Sequence, residues 1–317
     1  MKHILIAAFS MFMATAATAQ SEGETVAALQ SAFETWASNH NIPSSDIVIL
    51  HHGEVVGPSR SDEPVEIASL SKAITAVCAA TLIDDGIWTA QTTSAEVLGF
   101  GHEGVTVAQL VTHSGGISPD STQGVMWLWM TSNVSRKRLA TEIALNRKQD
   151  VIGRYSYNNE NYGILGEMIE VALDQPYEDA CHSRALAPAN VTTAKPSELT
   201  GGMLPWGGWS MSAQDYALFQ YHWFGPDGMY GAGSPSDVLL EVEGGAEYGL
   251  GMFERDVADH RNFWHFGLWC VPGRLNTGAY AVIWQGEWSV VATYDACVDW
   301  DAMGALDGAL AKVVYGL

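Results

Sequence analysis

The spacing of apolar residues near the N-terminus changes from a helical period to a strand-like one. Over residues 22–40 apolar side chains recur three and four positions apart, on one face of a helix, at Val26, Leu29, Phe33 and Trp36. Residues 46–50 and 54–56 are instead short runs rich in β-branched side chains. The turn His51-His52-Gly53 separates these runs, so the segment predicts a β-hairpin.

The C-terminal part has the pattern of a β-meander followed by a helix. Runs rich in β-branched and aromatic residues alternate with turn residues, over residues 263–270, 278–284 and 289–294. Residues 301–315 predict a closing helix. The middle of the chain has mostly helical spacing, over residues 70–85, 105–111 and 216–223 and in a helix that ends near residue 173.

These patterns predict an α+β fold. Strands near both chain termini are expected to form one antiparallel sheet flanked by helices, with an inserted, mostly helical region. The 317 residues are enough for one large domain with an ample core. The α/β part is expected at about residues 20–85 and 240–317, and the helical part at about residues 86–239.

The N-terminus has the pattern of a secretory signal peptide. Lys2 precedes an apolar run over residues 4–13, and Ala17-Thr18-Ala19 supplies small residues for cleavage near Ala19. We therefore expect residues 1–19 to be removed and a domain of residues 20–317 to be exported, to the periplasm or the medium. The apolar run is too short to span a bilayer, so we predict no membrane insertion.

The composition limits the partners of the protein. The formal net charge is −21, and such a surface repels the phosphates of nucleic acids and anionic lipids. No C-x-x-C or H-E-x-x-H motif occurs, so we predict neither a metal nor another cofactor. The pair His51-His52 falls in the predicted hairpin turn, where the sequence favours no ligand role. The oligomeric state stays open.

Four cysteines lie beyond the expected cleavage site, at Cys78, Cys181, Cys270 and Cys297. Cys78 falls on the inward face of a predicted helix and is expected to act as a small buried hydrophobe. Cys270 and Cys297 leave the predicted meander at the same end. Strands two places apart are about 10 Å from each other, so a disulfide between these cysteines requires a loop to fold over. The sequence leaves their pairing open.

Candidate chemistry begins at Ser69, three residues before Lys72 at the start of a predicted helix. This spacing places both side chains on one helix face. A neutral lysine amine there can take the serine proton and activate a hydroxyl that is a poor nucleophile alone. The alternative is a helix-capping serine followed by a solvated lysine.

Two later motifs favour the catalytic interpretation of Ser69 and Lys72 over the capping one. Tyr157-Asn158-Asn159 opens a predicted helix, and His265-Phe266-Gly267 lies in a predicted strand. With Ser69-Leu70-Ser71-Lys72 and in this order, they resemble the motifs of class C β-lactamase-like serine hydrolases. That family includes D,D-peptidases, D-aminopeptidases and esterases. The resemblance covers about residues 24–316 and implies a β-lactamase/transpeptidase-like fold.

The resemblance implies a role for each motif. Ser69 would be the acylated nucleophile, Lys72 its base, and Tyr157 a relay that protonates the leaving group and activates water. Asn159 would hold Lys72 and donate to the substrate. The backbone N–H groups of Ser69 and Leu268 would form an oxyanion hole, the second placed by the strand after His265 and Gly267.

The third motif departs from the β-lactamases of this class, which carry lysine where this chain has His265. A neutral imidazole attracts a substrate carboxylate less than an ammonium group does, and Arg274, a few residues beyond the same predicted strand, is the candidate cation that could compensate. Six tryptophans lie in segments that the resemblance places near the cleft: Trp127, Trp129, Trp206, Trp209, Trp264 and Trp269. Such an aromatic pocket suits an uncharged substrate.

One further histidine, His113, stands beside Gly115-Gly116. The sequence favours a residue that braces the turn by bonding backbone carbonyls, with a catalytic role as the alternative.

The favoured function is an exported serine hydrolase of carboxylesterase type, acting on a small ester, amide or peptide through an acyl-enzyme on Ser69. The alternatives are a D-amino-acid peptidase or D,D-peptidase, a β-lactamase, and a non-catalytic penicillin-binding-like sensor. The joint presence of Ser69, Lys72, Tyr157 and Asn159 favours an enzyme over the sensor.

Overall fold

The computed structural model of the protein describes residues 21–100, 104–124, 137–147 and 151–317. The predicted signal peptide with its cleavage site near Ala19, and the tryptophans Trp127 and Trp129, lie outside these residues. Within them, no helix is both long enough and apolar enough to cross a membrane.

Most strands lie near the two ends of the chain, and most helices lie between them. The strands are β1 (Ser45–His51), β2 (Glu54–Gly57), β3 (Val65–Glu66), β4 (Lys195–Pro196), β5 (Trp209–Met211), β6 (Leu239–Val242), β7 (Ala246–Gly249), β8 (Met252–Val257), β9 (His260–Val271), β10 (Leu275–Trp284) and β11 (Trp288–Tyr294). The helices are α1 (Glu22–Asn39), α2 (Ser71–Asp84), α3 (Ser94–Leu98), α4 (Val107–Val111), α5 (Ser121–Gly124), α6 (Lys137–Asn146), α7 (Asn159–Leu173), α8 (Tyr177–Cys181), α9 (Ala213–Phe224) and α10 (Trp300–Tyr315).

The main sheet has eight strands in the order β2-β1-β11-β10-β9-β8-β7-β6. Every neighbouring pair is antiparallel, and β1 from the N-terminal part pairs with β11 from the C-terminal part. The predicted α+β fold, with one antiparallel sheet built from both ends of the chain, is confirmed. The sequence did not predict β6, β7 and β8 as strands, because they are short and carry charged residues.

Two hydrophobic cores cover the two faces of the sheet. One lies under α1 and α10, where Leu29 and Phe33 meet Leu306 and Leu310. The other lies between the sheet and the helical region and contains most of α2. Residues 71–80 of α2 are all buried, since apolar and small side chains surround this helix on every side. A lysine in α2 is therefore enclosed by protein.

A small second sheet, in the order β3-β5-β4, anchors the segment before α2. Val65 pairs with Met211, and the Ile67 N–H donates to the Trp209 carbonyl at 3.2 Å. This pairing brings residues 206–209 beside the start of α2.

Two disulfides join segments that are distant in sequence. Cys270 is bonded to Cys297, in agreement with the pairing that the sequence allowed. Cys78 is bonded to Cys181, so the expectation that Cys78 is only a small buried hydrophobe was wrong. The two cysteines meet because α2 packs against α8 and the residues that follow it. The spacing of apolar residues in the sequence does not reveal this tertiary contact.

Candidate active site

Ser69 lies in a single 3₁₀ turn, Ala68–Leu70, directly before α2. Ala68 has a positive φ of 47°, an uncommon conformation for a residue with a side chain. Ala68 and Leu70 are fully buried, whereas Ser69 is half-buried. The turn therefore presents the Ser69 hydroxyl at the surface of an otherwise closed segment.

Lys72 is fully buried one helical turn beyond Ser69. Its Nζ lies 3.1 Å from Ser69 Oγ, 2.8 Å from Asn159 Oδ1 and 2.9 Å from the Trp206 carbonyl oxygen. Burial lowers the pKa of Lys72 well below its usual value, and the charge of Asp120 partly opposes this shift. At neutral pH the amine is therefore neutral far more often than an exposed lysine, and it can accept a proton from Ser69.

Asn159 connects this amine to a carboxylate that the sequence analysis missed. Its Nδ2 donates to Asp120 Oδ2 and to Thr122 Oγ1, both at 3.1 Å, and its backbone N–H also donates to Asp120 Oδ2. These acceptors hold the amide so that Oδ1 faces Lys72. The only signal in the sequence is Asp120-Ser121-Thr122, a common start for a helix.

Removing the charge of Asp120 should shift the pH dependence of the hydrolysis that the motifs predict. Without the carboxylate, the pKa of Lys72 should fall further, so the acid limb of kcat/KM should move to lower pH in Asp120→Asn. The weaker hold on Asn159 should also reduce kcat by roughly 10- to 100-fold, the scale of a lost hydrogen bond to a charged group. A pH–rate profile on a p-nitrophenyl ester measures both effects. Asp62→Asn, at an exposed carboxylate, is the control. An acid limb that stays in place or moves up would contradict the assignment.

Tyr157 also contacts Ser69. Its hydroxyl is hydrogen-bonded to the Ser69 side chain, and its ring centroid lies 4.7 Å from Lys72 Nζ. The residue as a whole is 38% exposed, yet the surrounding protein desolvates the phenol and raises its pKa above the usual value. The phenol is therefore protonated at neutral pH and can donate a proton more readily than accept one.

His113 packs beneath Tyr157, with 4.4 Å between the ring centroids. Its Nδ1 accepts from the backbone N–H of Asn158 at 3.2 Å, so the proton of the neutral ring lies on Nε2. The backbone carbonyl of His113 accepts from Ser156 at 2.9 Å. We expected the ring to brace its own turn by bonding carbonyls, but it accepts instead from a backbone N–H of the loop that carries Tyr157.

His265 lies on the face of β9 that points toward this cluster. It is only 2% exposed, and its ring centroid is 6.1 Å from that of Tyr157. Nδ1 donates to the Phe266 carbonyl at 2.6 Å, and Nε2 lies 3.3 Å from the Tyr248 hydroxyl. Burial, with a smaller contribution from the nearby Lys72 charge, lowers the pKa of His265 to about 3. The imidazole is therefore neutral at physiological pH.

Gly267 allows β9 to pass close to the Ser69 turn. A Cβ at this position would lie 2.5 Å from the Ile67 carbonyl oxygen and 3.1 Å from the Ser69 backbone nitrogen. Only glycine permits such an approach, and Leu268 follows directly in the strand. The structure thus brings Ser69, Lys72, Tyr157 and Asn159 into one hydrogen-bonded cluster, with His265, Gly267 and Leu268 along its edge.

The four described tryptophans among the six do not form the predicted pocket wall. Trp209 is fully buried, and Trp206 and Trp269 are 3% and 4% exposed, so these three rings belong to the core. Trp206 contributes its backbone carbonyl to Lys72, and Trp269 donates to the Gly207 carbonyl at 2.8 Å. Trp264 points to the opposite face of β9 from His265. The aromatic groups around the cluster are instead tyrosines, Phe253 and His113.

The candidate cation Arg274 lies in the turn after β9. Val271, at the end of β9, is six residue steps from His265, a span of about 20 Å. Arg274 therefore cannot pair with a substrate carboxylate beside His265.

A family model for beta-lactamase matches residues 18–292, most of the chain. The protein belongs to the beta-lactamase family. Members of this family are serine hydrolases, which agrees with the resemblance found in the motifs. No curated protein matches the sequence.

Several solved structures share the fold of this beta-lactamase family member. The octameric penicillin-binding protein homologue from Pyrococcus abyssi has a TM-score of 0.74 at 18% identity, over 92% of this chain and 77% of its own. A class C beta lactamase from Rhodobacter sphaeroides has a TM-score of 0.71 at 15% identity, over 91% and 99%. A D-stereospecific amidohydrolase from Streptomyces sp. has a TM-score of 0.69 at 17% identity, over 89% and 97%. At such identities the likeness establishes the fold alone.

Proposed function

We propose that the protein hydrolyses small, uncharged carboxylic esters through an acyl-enzyme on Ser69. The observation that carries this proposal is the bond between a half-buried serine hydroxyl and a fully buried amine whose pKa burial depresses. A serine of ordinary reactivity becomes a nucleophile only when a neighbouring base takes its proton. Lys72 can be that base because burial disfavours its charged form.

The acylation step follows from the protonation states. Lys72 Nζ takes the Ser69 proton while Oγ bonds to the carbonyl carbon of the ester, and the backbone N–H groups of Ser69 and Leu268 stabilise the oxyanion. The bond to the leaving oxygen then breaks, and the protonated phenol of Tyr157 donates its proton to that oxygen. Lys72 returns the serine proton to Tyr157. A water molecule then attacks the acyl-enzyme by the reverse route and releases the acid.

The preference for an uncharged substrate rests on His265. A buried imidazole with a pKa of about 3 offers no positive charge to a substrate carboxylate at neutral pH. Arg274 is too distant along β9 to compensate, and the net charge of −21 disfavours the approach of anions. β-Lactams and C-terminal peptide substrates carry such a carboxylate, so they are the weaker candidates.

A matched pair of esters tests this preference. The values of kcat/KM for p-nitrophenyl butyrate and p-nitrophenyl hemisuccinate should differ at least several-fold in favour of the butyrate, although both release the same leaving group. His265→Lys should raise kcat/KM for the hemisuccinate relative to the butyrate by about tenfold, the scale of one charge-assisted hydrogen bond, and most at low salt. His265→Gln, which adds no charge, should leave the ratio of the two kcat/KM values unchanged.

Two further substrates distinguish the alternatives. D-Alanine p-nitroanilide reports a D-amino-acid peptidase, and nitrocefin reports a β-lactamase. If nitrocefin is hydrolysed faster than every neutral ester, the charge argument is wrong and the β-lactamase assignment replaces it. If a fluorophosphonate probe fails to label Ser69 and no substrate turns over, the non-catalytic sensor replaces the enzyme.

A further inference from the structure

Two β-hairpin turns meet at one end of the main sheet. The turn between β1 and β2 contains His52 and Gly53, and the turn between β10 and β11 contains Gln285, Gly286 and Glu287. Because β1 pairs with β11, these turns are neighbours, and the His52 N–H donates to the Glu287 carbonyl at 2.8 Å. The fold therefore holds the side chains of both turns within reach of each other.

Three of these side chains converge. One ligand atom from each of His51, His52 and Glu287 lies within 4.8 Å of the other two. Glu287 is distant from the histidine pair in sequence, which is why the sequence analysis predicted no metal site. Two imidazoles and one carboxylate form a donor set that suits Zn²⁺ and the later first-row divalent metals better than Mg²⁺ or Ca²⁺.

His51 is held in an orientation suited to a ligand. Its Nδ1 lies 2.6 Å from a carboxylate oxygen of Glu22, so this nitrogen carries the proton and the lone pair lies on Nε2. Its ring also stacks on Trp288, with 4.1 Å between the centroids. A carboxylate on the second nitrogen of a histidine is the usual support for a metal ligand.

We propose that His51, His52 and Glu287 bind one divalent transition-metal ion, with Zn²⁺ the first candidate and Glu22 supporting His51. The bound ion would connect the first turn of α1 with two hairpins of the sheet and so stabilise the native state. The net charge of −21 favours the approach of a cation. No residue of this site belongs to the cluster around Ser69, so catalysis does not depend on it.

Calorimetry on tag-free protein tests the site, since a polyhistidine tag would bind the same metals. Titration of the EDTA-treated protein with ZnCl₂ in a non-chelating buffer should show one ion per chain with micromolar affinity. Saturating Zn²⁺ should raise Tm by several degrees, because a ligand that binds only the native state stabilises it. EDTA should reverse the rise. Mg²⁺ that bound as tightly as Zn²⁺ would overturn the proposed selectivity.

Two variants connect the binding to these residues. His52→Asn tolerates the positive φ of 48° at this exposed position, and Glu287→Gln keeps the shape of the side chain. Each should weaken Zn²⁺ binding at least tenfold while ester hydrolysis stays at the wild-type rate. His260→Ala, at an exposed histidine in another hairpin, should bind as wild type does. Absence of binding to wild type at 100 µM Zn²⁺ (roughly 100 times a micromolar Kd), or unchanged affinity in both variants, would overturn the proposal.

Discussion

Ser69→Ala should abolish hydrolysis of every substrate while leaving the fold intact. Ser69 is the only residue of the Ala68–Leu70 turn that is not fully buried, and no other side chain of this turn can form the acyl-enzyme. The variant should lose about 1–2 kcal/mol of stability at most, because Lys72 keeps its bonds to Asn159 and the Trp206 carbonyl. Initial rates on p-nitrophenyl butyrate and thermal unfolding measure these two effects.

The neighbouring serine of the same motif provides the matched control. The Ser71 Oγ faces the core, where it accepts from the Trp209 N–H at 3.3 Å. A fluorophosphonate probe, detected by intact mass and peptide mapping, should therefore label Ser69 in wild type and in Ser71→Ala. Ser69→Ala should remain unlabelled. Full activity in Ser69→Ala would refute the acyl-enzyme mechanism as a whole.

Lys72→Met and Tyr157→Phe should each reduce kcat/KM by about a hundredfold or more, the usual scale for a positioned acid or base. The two residues have opposite states at neutral pH, because burial lowers the pKa of the amine and raises that of the phenol. In one proton path the amine of Lys72 is the acceptor and the phenol of Tyr157 is the donor. The double variant should therefore lose little more than the worse single variant.

The controls separate catalysis from packing. Methionine fills most of the buried volume of Lys72 but leaves Asn159 Oδ1 and the Trp206 carbonyl without their donor, so thermal unfolding must accompany the kinetics. Tyr155→Phe changes another tyrosine of the same aromatic cluster and should cost little activity. If the losses from Lys72→Met and Tyr157→Phe multiply in full, the two residues do not share a proton path.

The periodicity of the sequence determined most elements. The predicted helix over residues 22–40 forms as α1, and the predicted hairpin and meander form as β1, β2 and β9 to β11. Such elements are predictable because an amphipathic face repeats every 3.6 residues in a helix and every two in a strand. The order of the serine, tyrosine and histidine motifs likewise indicated the family that the family model identifies.

The short strands β6, β7 and β8 could not be predicted from periodicity. In β8 the fully buried Glu254 resembles a surface residue in the sequence. Its Oε2 accepts from Arg261 Nε at 2.7 Å, and this contact with β9 is what makes its burial possible. Such strands exist because a neighbouring strand pairs with them, and only the assembled sheet supplies that neighbour.

The sequence and the tertiary structure also determined different parts of the two proposed sites. Motif spacing alone placed Ser69 and Lys72 together, because three residues span one helical turn. Only the tertiary structure brought Asp120 to the amide of Asn159 and Glu287 to the two histidines. It also decided the protonation states of Lys72 and His265, since a pKa shift depends on burial and on charges that are near in space but distant along the chain.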